Sequence, residues 1–294
     1  MTKWTILAGA ALGAALPLSP ALADNGCAVQ APAIQPQTVI VTYDPFDAAT
    51  ANSDFLIRLD TVGCPPNRNL FLELDPVDPT QSDGTSIRFA GSGGSSLLAA
   101  ISDQRGGQGH GRDDFFNVTA GSETFYLVVP RGQIVPPGDY RAQVRAAVRL
   151  NNGRGEPEAQ TPFEIVIRVG AAIGLVPAIG RGLDLGELRD GDRADTPVTF
   201  DAYANVPYRL TVRSDFGYVL RRGGLATSSG PAYLPQLDSD LLTTSAPQRD
   251  FPLPPANLWR RRHSLDVQVP SIAGQQAGTY RDYLTVEIGA LLGE

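Results

Sequence analysis

Two histidines, two cysteines and a scatter of aspartates are the side chains of this sequence best suited to chemistry, and their spacing excludes most of it. His110 lies in Gly109-His110-Gly111, a backbone too pliable to hold a general base at hydrogen-bonding distance from a substrate. His263 follows Arg260-Arg261-Arg262, whose charges disfavour the imidazolium, and it reads as part of a solvated strand edge. Two histidines so far apart form no zinc-ligand pattern. Asp75, Asp78 and Asp83 do not keep the spacing of a calcium loop, and Pro76 and Pro79 interrupt them. No serine or cysteine occupies a nucleophile elbow. Trp259, beside the three arginines, could stack on a glycan, but a packed tryptophan with solvated arginines needs fewer assumptions. Asn117-Val118-Thr119 fits the glycosylation triplet, which often arises by chance. The expectation is a chain with no catalytic residue, no metal and no cofactor, and therefore not an enzyme.

The cysteines carry a different message. Residues 1–23 hold one cation (Lys3), an apolar run from Trp4 to Leu16 and Ala21-Leu22-Ala23, which together read as a secretory signal with Asp24 as the mature N-terminus. The run is too short for a membrane span, and no later segment reaches spanning length. In an exported chain, a lone pair of cysteines reads as one disulfide, here Cys27–Cys64. Closing that loop contributes on the order of 4 kcal/mol in the chain-entropy view. A formal net charge of −7 with no basic stripe argues against nucleic acid as a partner.

The elements that carry these residues are strands. With 31 glycines and 24 prolines the 294-residue chain is broken at short intervals, and the apolar residues between breaks alternate. The clearest case opens at Gly138-Asp139-Tyr140-Arg141, with Tyr140, Ala142, Val144, Ala146, Val148 and Leu150 on one face. Its near copy, Gly278-Thr279-Tyr280-Arg281, returns 140 positions later, with Tyr280, Leu284, Val286 and Ile288 on the face that Asp282 interrupts. A tyrosine two residues after glycine at the start of a late strand matches the tyrosine corner of immunoglobulin-like sandwiches, so Tyr140 and Tyr280 are assigned that role. The first copy is followed by the turn-rich Asn151–Gln160 and the alternating strand Phe163–Val169; after the second, only Gly289–Glu294 remain. The expected fold is all-β, two immunoglobulin-like sandwich domains (24–169 and 170–294), the second lacking its last strand. Whether Phe163–Val169 closes the first domain or pairs with the second stays open. A missing strand leaves unpaired backbone and an uncovered apolar face, here Ile173 and Leu175 from an early strand with Leu284, Val286 and Ile288 from the last. Tyr280–Ile288 is expected as one strand, and Gly91–Ser96 and Asp103–Arg112 as mobile glycine-rich loops.

Cys27 near the cleavage site, Tyr43-Asp44-Pro45-Phe46, Cys64 and Pro137-Gly138-Asp139-Tyr140 resemble the spore coat protein U family. Leu185-Gly186-Glu187-Leu188 and Ala277-Gly278-Thr279-Tyr280-Arg281-Asp282 resemble a second copy, an arrangement similar to the tip subunits of archaic chaperone–usher pili. The resemblance implies a periplasmic chaperone, an usher and an adjacent pilin that donates a strand. It also implies passage through the periplasm to the cell surface, and a role in attachment or biofilm formation through a surface ligand it does not name. Only Asp24, Asn25 and Gly26 stand between the expected cleavage site and Cys27, against roughly ten residues for a donor strand, which reads as a tip. The tip subunits it resembles bind through apolar loops; Leu97-Leu98-Ala99-Ala100-Ile101, with Leu97, Leu98 and Ile101 as contact residues, is the apolar candidate, and it reads equally as a short buried element. Thr80–Thr85 and Asn151–Gln160 are polar. Two other functions compete: a periplasmic pilus chaperone, lending Phe163, Ile165, Ile167 and Val169 to pilins, and a secreted carbohydrate-binding or coat module.

Overall fold

The computed structural model describes residues 26–292 apart from 48, 66–67, 104–114, 151–154, 177–181, 195 and 255–258. The expected signal segment, His110, most of the loop Asp103–Arg112 and the start of the turn at Asn151 lie outside the described residues. Within them the regular structure is β-strand, with two single 3-10 turns at Pro79–Gln81 and Ser92–Gly94. The fold is an all-β, immunoglobulin-like sandwich architecture.

The N-terminal portion contains β1 (Ala33–Gln35), β2 (Thr38–Tyr43), β3 (Ala51–Leu59), β4 (Leu70–Pro76), β5 (Ser86–Ala90) and β6 (Ser96–Asp103). It continues with β7 (Phe116–Val118), β8 (Gly121–Val129), β9 (Gly138–Arg149) and β10 (Ala159–Val169). They run in the order β7-β4-β9-β5-β6-β8-β3-β1, with β10 joined to β9 and to β2. The period-two pattern explains the core. In β4, Leu70, Leu72, Leu74 and Pro76 turn inward while the residues between them are half-buried. Phe55, Phe125 and Phe163 from β3, β8 and β10 meet at ring separations of 5.7–5.9 Å.

β10 decides the question left open by its sequence. It lies between β9, antiparallel from Gly138↔Val169 to Val148↔Ala159, and β2, parallel from Glu164↔Thr38 to Val169↔Tyr43. Phe163, Ile165, Ile167 and Val169 are at most 5% exposed, so this strand closes the N-terminal core and its side chains are not free to be lent.

Two loop expectations are corrected here. Leu97, Leu98 and Ile101 belong to β6: Leu97 pairs with Phe89 and Ile101 with Leu127, both leucine and isoleucine are fully buried, and Leu98 is tied through its backbone to the Gln133 amide. An apolar run bounded by two partner strands is drawn into the core, so it offers no adhesive loop. Gly91–Ser96 is ordered into the turn Ser92–Gly94, with Gly91 against the Tyr140 ring: a β-carbon there would lie 2.4 Å from Cε1.

The C-terminal portion contains β11 (Ile173–Val176), β12 (Val198–Ala204), β13 (Tyr208–Ser214), β14 (Leu234–Leu237), β15 (Gln248–Phe251), β16 (Arg260–Gln268) and β17 (Leu284–Ala290). One sheet runs β11-β12-β16-β14 and a second β15-β13-β17. Its cores are built from residues of 173 onward, and the N-terminal core from 27 to 169. At the junction the buried Asn205 side chain accepts from the Ala172 N–H at 2.7 Å and donates to the carbonyls of Gly170 and Val135 at 3.0 and 3.1 Å. The expected strand Tyr280–Ile288 is split: Tyr280–Arg281 pairs with Arg221–Arg222, and β17 begins at Leu284. Asp282 breaks it, because its carboxylate turns to Ser214 and Tyr233 and its Oδ1 accepts from the next backbone N–H.

Candidate functional site

The two portions treat their final tyrosine-headed strand differently. In the first, β9 is covered on one side by β4 and on the other by β10, and Tyr140, Ala142, Val144, Ala146 and Val148 are each at most 2% exposed. In the second, β17 pairs along one side with β13, from Ser214↔Leu284 to Tyr208↔Ala290, and with nothing described along the other. β11 pairs with β12 alone, from Ile173↔Ala204 to Val176↔Asp201. β11 and β17 thus each keep one edge without a described strand partner, and they come close to one another with a gap between their sheets.

The aliphatic side chains flanking it are incompletely covered. Ile173, Leu175, Leu284, Val286 and Ile288 all pack against the C-terminal core, yet each is only half-buried. The gap opens into a cavity of about 1130 Å³ whose wall includes Leu175, Phe200, Leu220, Leu265, Leu284 and Val286. Of the five expected groove residues, Leu175, Leu284 and Val286 line this cavity, while Ile173 and Ile288 extend the same apolar face. Phe200, Leu220, Tyr233 and Leu265 were not legible as groove residues: Phe200 and Leu265 come from β12 and β16, and Leu220 and Tyr233 from connections between strands, all distant in sequence from β17. Alternation assigns a face to each residue but does not say which faces meet.

Both tyrosine corners form. The Tyr140 hydroxyl donates to the carbonyl of Pro136 at 2.8 Å and accepts from Ser95 Oγ at 3.0 Å. Tyr280 donates to the carbonyl of Gln276, the same four-residue step back. Tyr140 is buried, and burial raises its pKa; Tyr280 stays half-buried at the edge of the cavity. Cys27 and Cys64 are joined by a disulfide that ties Ala28–Val29 to Thr61–Val62.

A second polar arrangement lies behind the cavity wall and corrects the reading of His263. The imidazole is 1% exposed, packed between Phe200 and Phe251 at ring separations of 5.5 and 4.5 Å. Its Nδ1 is 2.7 Å from Asp238 Oδ2, and its Nε2 is 2.7 Å from the Tyr208 hydroxyl. A carboxylate only accepts, so Nδ1–H donates to Asp238 and Nε2 accepts from Tyr208. Burial pushes the His263 pKa below its ordinary value, outweighing Asp238, and pushes the Tyr208 hydroxyl up to about 12. A buried face of β16, not a solvated edge, holds the histidine, because Phe200 and Phe251 supply an apolar wall and Tyr208 and Asp238 its two partners. With both nitrogens engaged and the ring buried, the chain Tyr208–His263–Asp238 ties β13, β16 and the turn after β14 together.

Trp259 is half-buried, with a left-handed backbone (φ 48°). Of the arginines beside it, Arg260 and Arg262 pair with Asp201, and Arg261 lies over the Phe251 ring at 5.7 Å. Asn117 of the glycosylation triplet is exposed on β7.

No family model and no curated protein matches this sequence. Among solved structures, the chain is similar to one from the CsuC–CsuE chaperone–tip adhesion subunit pre-assembly complex of the archaic chaperone-usher Csu pili of Acinetobacter baumannii. That likeness has a TM-score of 0.51 and 14% identity, and covers 89% of this chain and 99% of that one. Weaker likenesses reach a mutant of the CfaE adhesin of enterotoxigenic E. coli (TM-score 0.37, 11% identity, 87% and 92% covered) and the CupB6 tip adhesin of Pseudomonas aeruginosa (0.33, 14%, 81% and 86%). At these identities the likeness is one of fold.

Proposed function

We propose that this chain is a non-enzymatic subunit of a chaperone–usher pilus, and that the gap between β11 and β17 is the seat for a strand supplied by another protein. One observation carries the reading. Where the first portion buries β10 between β9 and β2, the second presents two free strand edges and five half-buried aliphatic side chains around a cavity. Free edges and uncovered apolar faces are costly in water, and strand addition satisfies both at once. Each groove side chain that becomes fully covered contributes roughly 1.5–3 kcal/mol.

A periplasmic chaperone would occupy the seat first and a neighbouring subunit afterwards, delivered at an usher. We assign the chain to the pilus tip, as an adhesive subunit. Among the described residues, β10 fills its place in the N-terminal portion, and the acceptor seat lies in the C-terminal portion. From Cys27 onward its N-terminal segment is bound into its own fold. The overall likeness to a chain of a chaperone–tip complex accords with this, over nearly that chain's full length. The alternative of a pilus chaperone loses its main support, since the strand it would lend is the buried β10.

The test is charge in the groove. Val286→Arg is expected to abolish co-purification with the chaperone of its own assembly system and to deplete the protein from the periplasm. Thr285→Glu, on the exposed face of the same strand and opposite Arg213, is expected to leave both unchanged. Normal capture and export of Val286→Arg would refute the acceptor seat.

A further inference from the structure

The acceptor groove is not apolar throughout. At the head of β17, Asp282 lies on the same face as Leu284 and Val286 and lines the same cavity. Its Oδ2 accepts from the hydroxyls of Ser214 and Tyr233, both at 2.5 Å, and its Oδ1 accepts from the Tyr283 N–H at 2.6 Å. Ser214 Oγ in turn accepts from the backbone of Phe216 and Tyr218, so the carboxylate is held by a fixed polar knot. No cationic side chain among the described residues pairs with it. Its neutral hydrogen-bond donors leave a negative charge beside a groove that fills with apolar side chains.

We infer that Asp282 sets the specificity of the groove, selecting an incoming strand that carries a lysine or arginine at one inward position among alternating apolar residues. This rests on the strand-acceptor reading. The register comes from the first portion, where position 142, the counterpart of 282 at the 140-residue repeat, is Ala142. Ala142 stands opposite Ile165 of β10, and both point into the core. β17 begins at Leu284, so a strand seated against it as β10 sits against β9 brings an inward side chain to Asp282 where it runs two residues past the head of β17. An apolar residue there would seal a charge from water without a partner, and an acidic one would add repulsion. A guanidinium or ammonium would convert the same site into a charge-assisted pair. The first portion, with alanine at this position, makes no such demand.

The experiment uses the full chain and three fluorescent fifteen-residue peptides of alternating aliphatic residues, identical except for lysine, leucine or glutamate at the inward position expected to meet Asp282. Dissociation constants are read by polarisation. The lysine peptide is expected to bind roughly 10- to 100-fold more tightly than the leucine peptide, with glutamate weakest. Asp282→Asn, which keeps an acceptor but removes the charge, is expected to bring lysine and leucine within a few-fold of each other, and circular dichroism checks that the variant stays folded. Binding of all three peptides without preference, or a preference that survives Asp282→Asn, would overturn the inference and leave the acceptor seat standing. Failure of every peptide to bind would overturn both.

Discussion

His263 shows how much a single side chain can depend on what packs against it. Three preceding arginines suggested solvent; the fold instead encloses the ring between two phenylalanines and gives each nitrogen a partner. Its pKa is lowered in the folded state, chiefly by burial. The folded protein therefore resists a proton that the unfolded chain takes up near pH 6.5. Stability from this group is fully present above pH 6.5 and is lost as pH falls below that value toward the depressed folded pKa. Chemical denaturation at pH 7.5 and 5.0 should show the unsubstituted protein losing stability, relative to itself, more than His263→Gln does. An equal loss in both would mean that His263 does not contribute to the pH dependence.

At the scale of elements, the proposed acceptor seat takes the place in the second portion that β10 takes in the first. Ile167 in β10 is wholly buried, between Tyr140 of β9 and Val41 of β2 in the strand register. Ile167→Ala is expected to cost about 2–5 kcal/mol, the usual range for a large residue deleted from a closed core. Val286→Ala, in the free protein, should cost no more than about 1 kcal/mol, because its side chain is already half in water. Bound to a donor strand, the same substitution should cost more. Denaturant melts with and without an aliphatic donor peptide measure the difference; equal costs for Val286→Ala in both states would argue against a seated strand.

For the whole molecule, the proposed acceptor seat in the second portion predicts unequal autonomy. Residues 26–169 contain a closed core and a disulfide, and are expected to be soluble and to melt cooperatively when produced alone in an oxidising compartment. Residues 170–294 are expected to aggregate unless a donor peptide or chaperone is supplied. A monomeric, cooperatively melting 170–294 with no added strand would remove the case for an incomplete fold. The two portions also meet at a specific joint, where the Asn205 amide ties the 170–172 connector to Val135 and so fixes where β11 begins.

The sequence by itself determined the strand character, the disulfide pair and the two tyrosine corners. Each rests on local periodicity or residue type, which survive without knowledge of neighbours. It could not determine which apolar runs meet. Leu97–Ile101 looked as much like a loop as a strand until β5 and β8 flanked it, and β10 could have served either portion until it lay between β9 and β2. Phe200, Leu220 and Leu265 joined the groove only because segments distant in sequence enclose it. Asp282, legible as an interruption of an apolar face, gained its meaning only once Ser214 and Tyr233 were found holding its carboxylate at the head of the groove. Burial and pairing are properties of two surfaces in contact, and alternation in one strand describes only one of them.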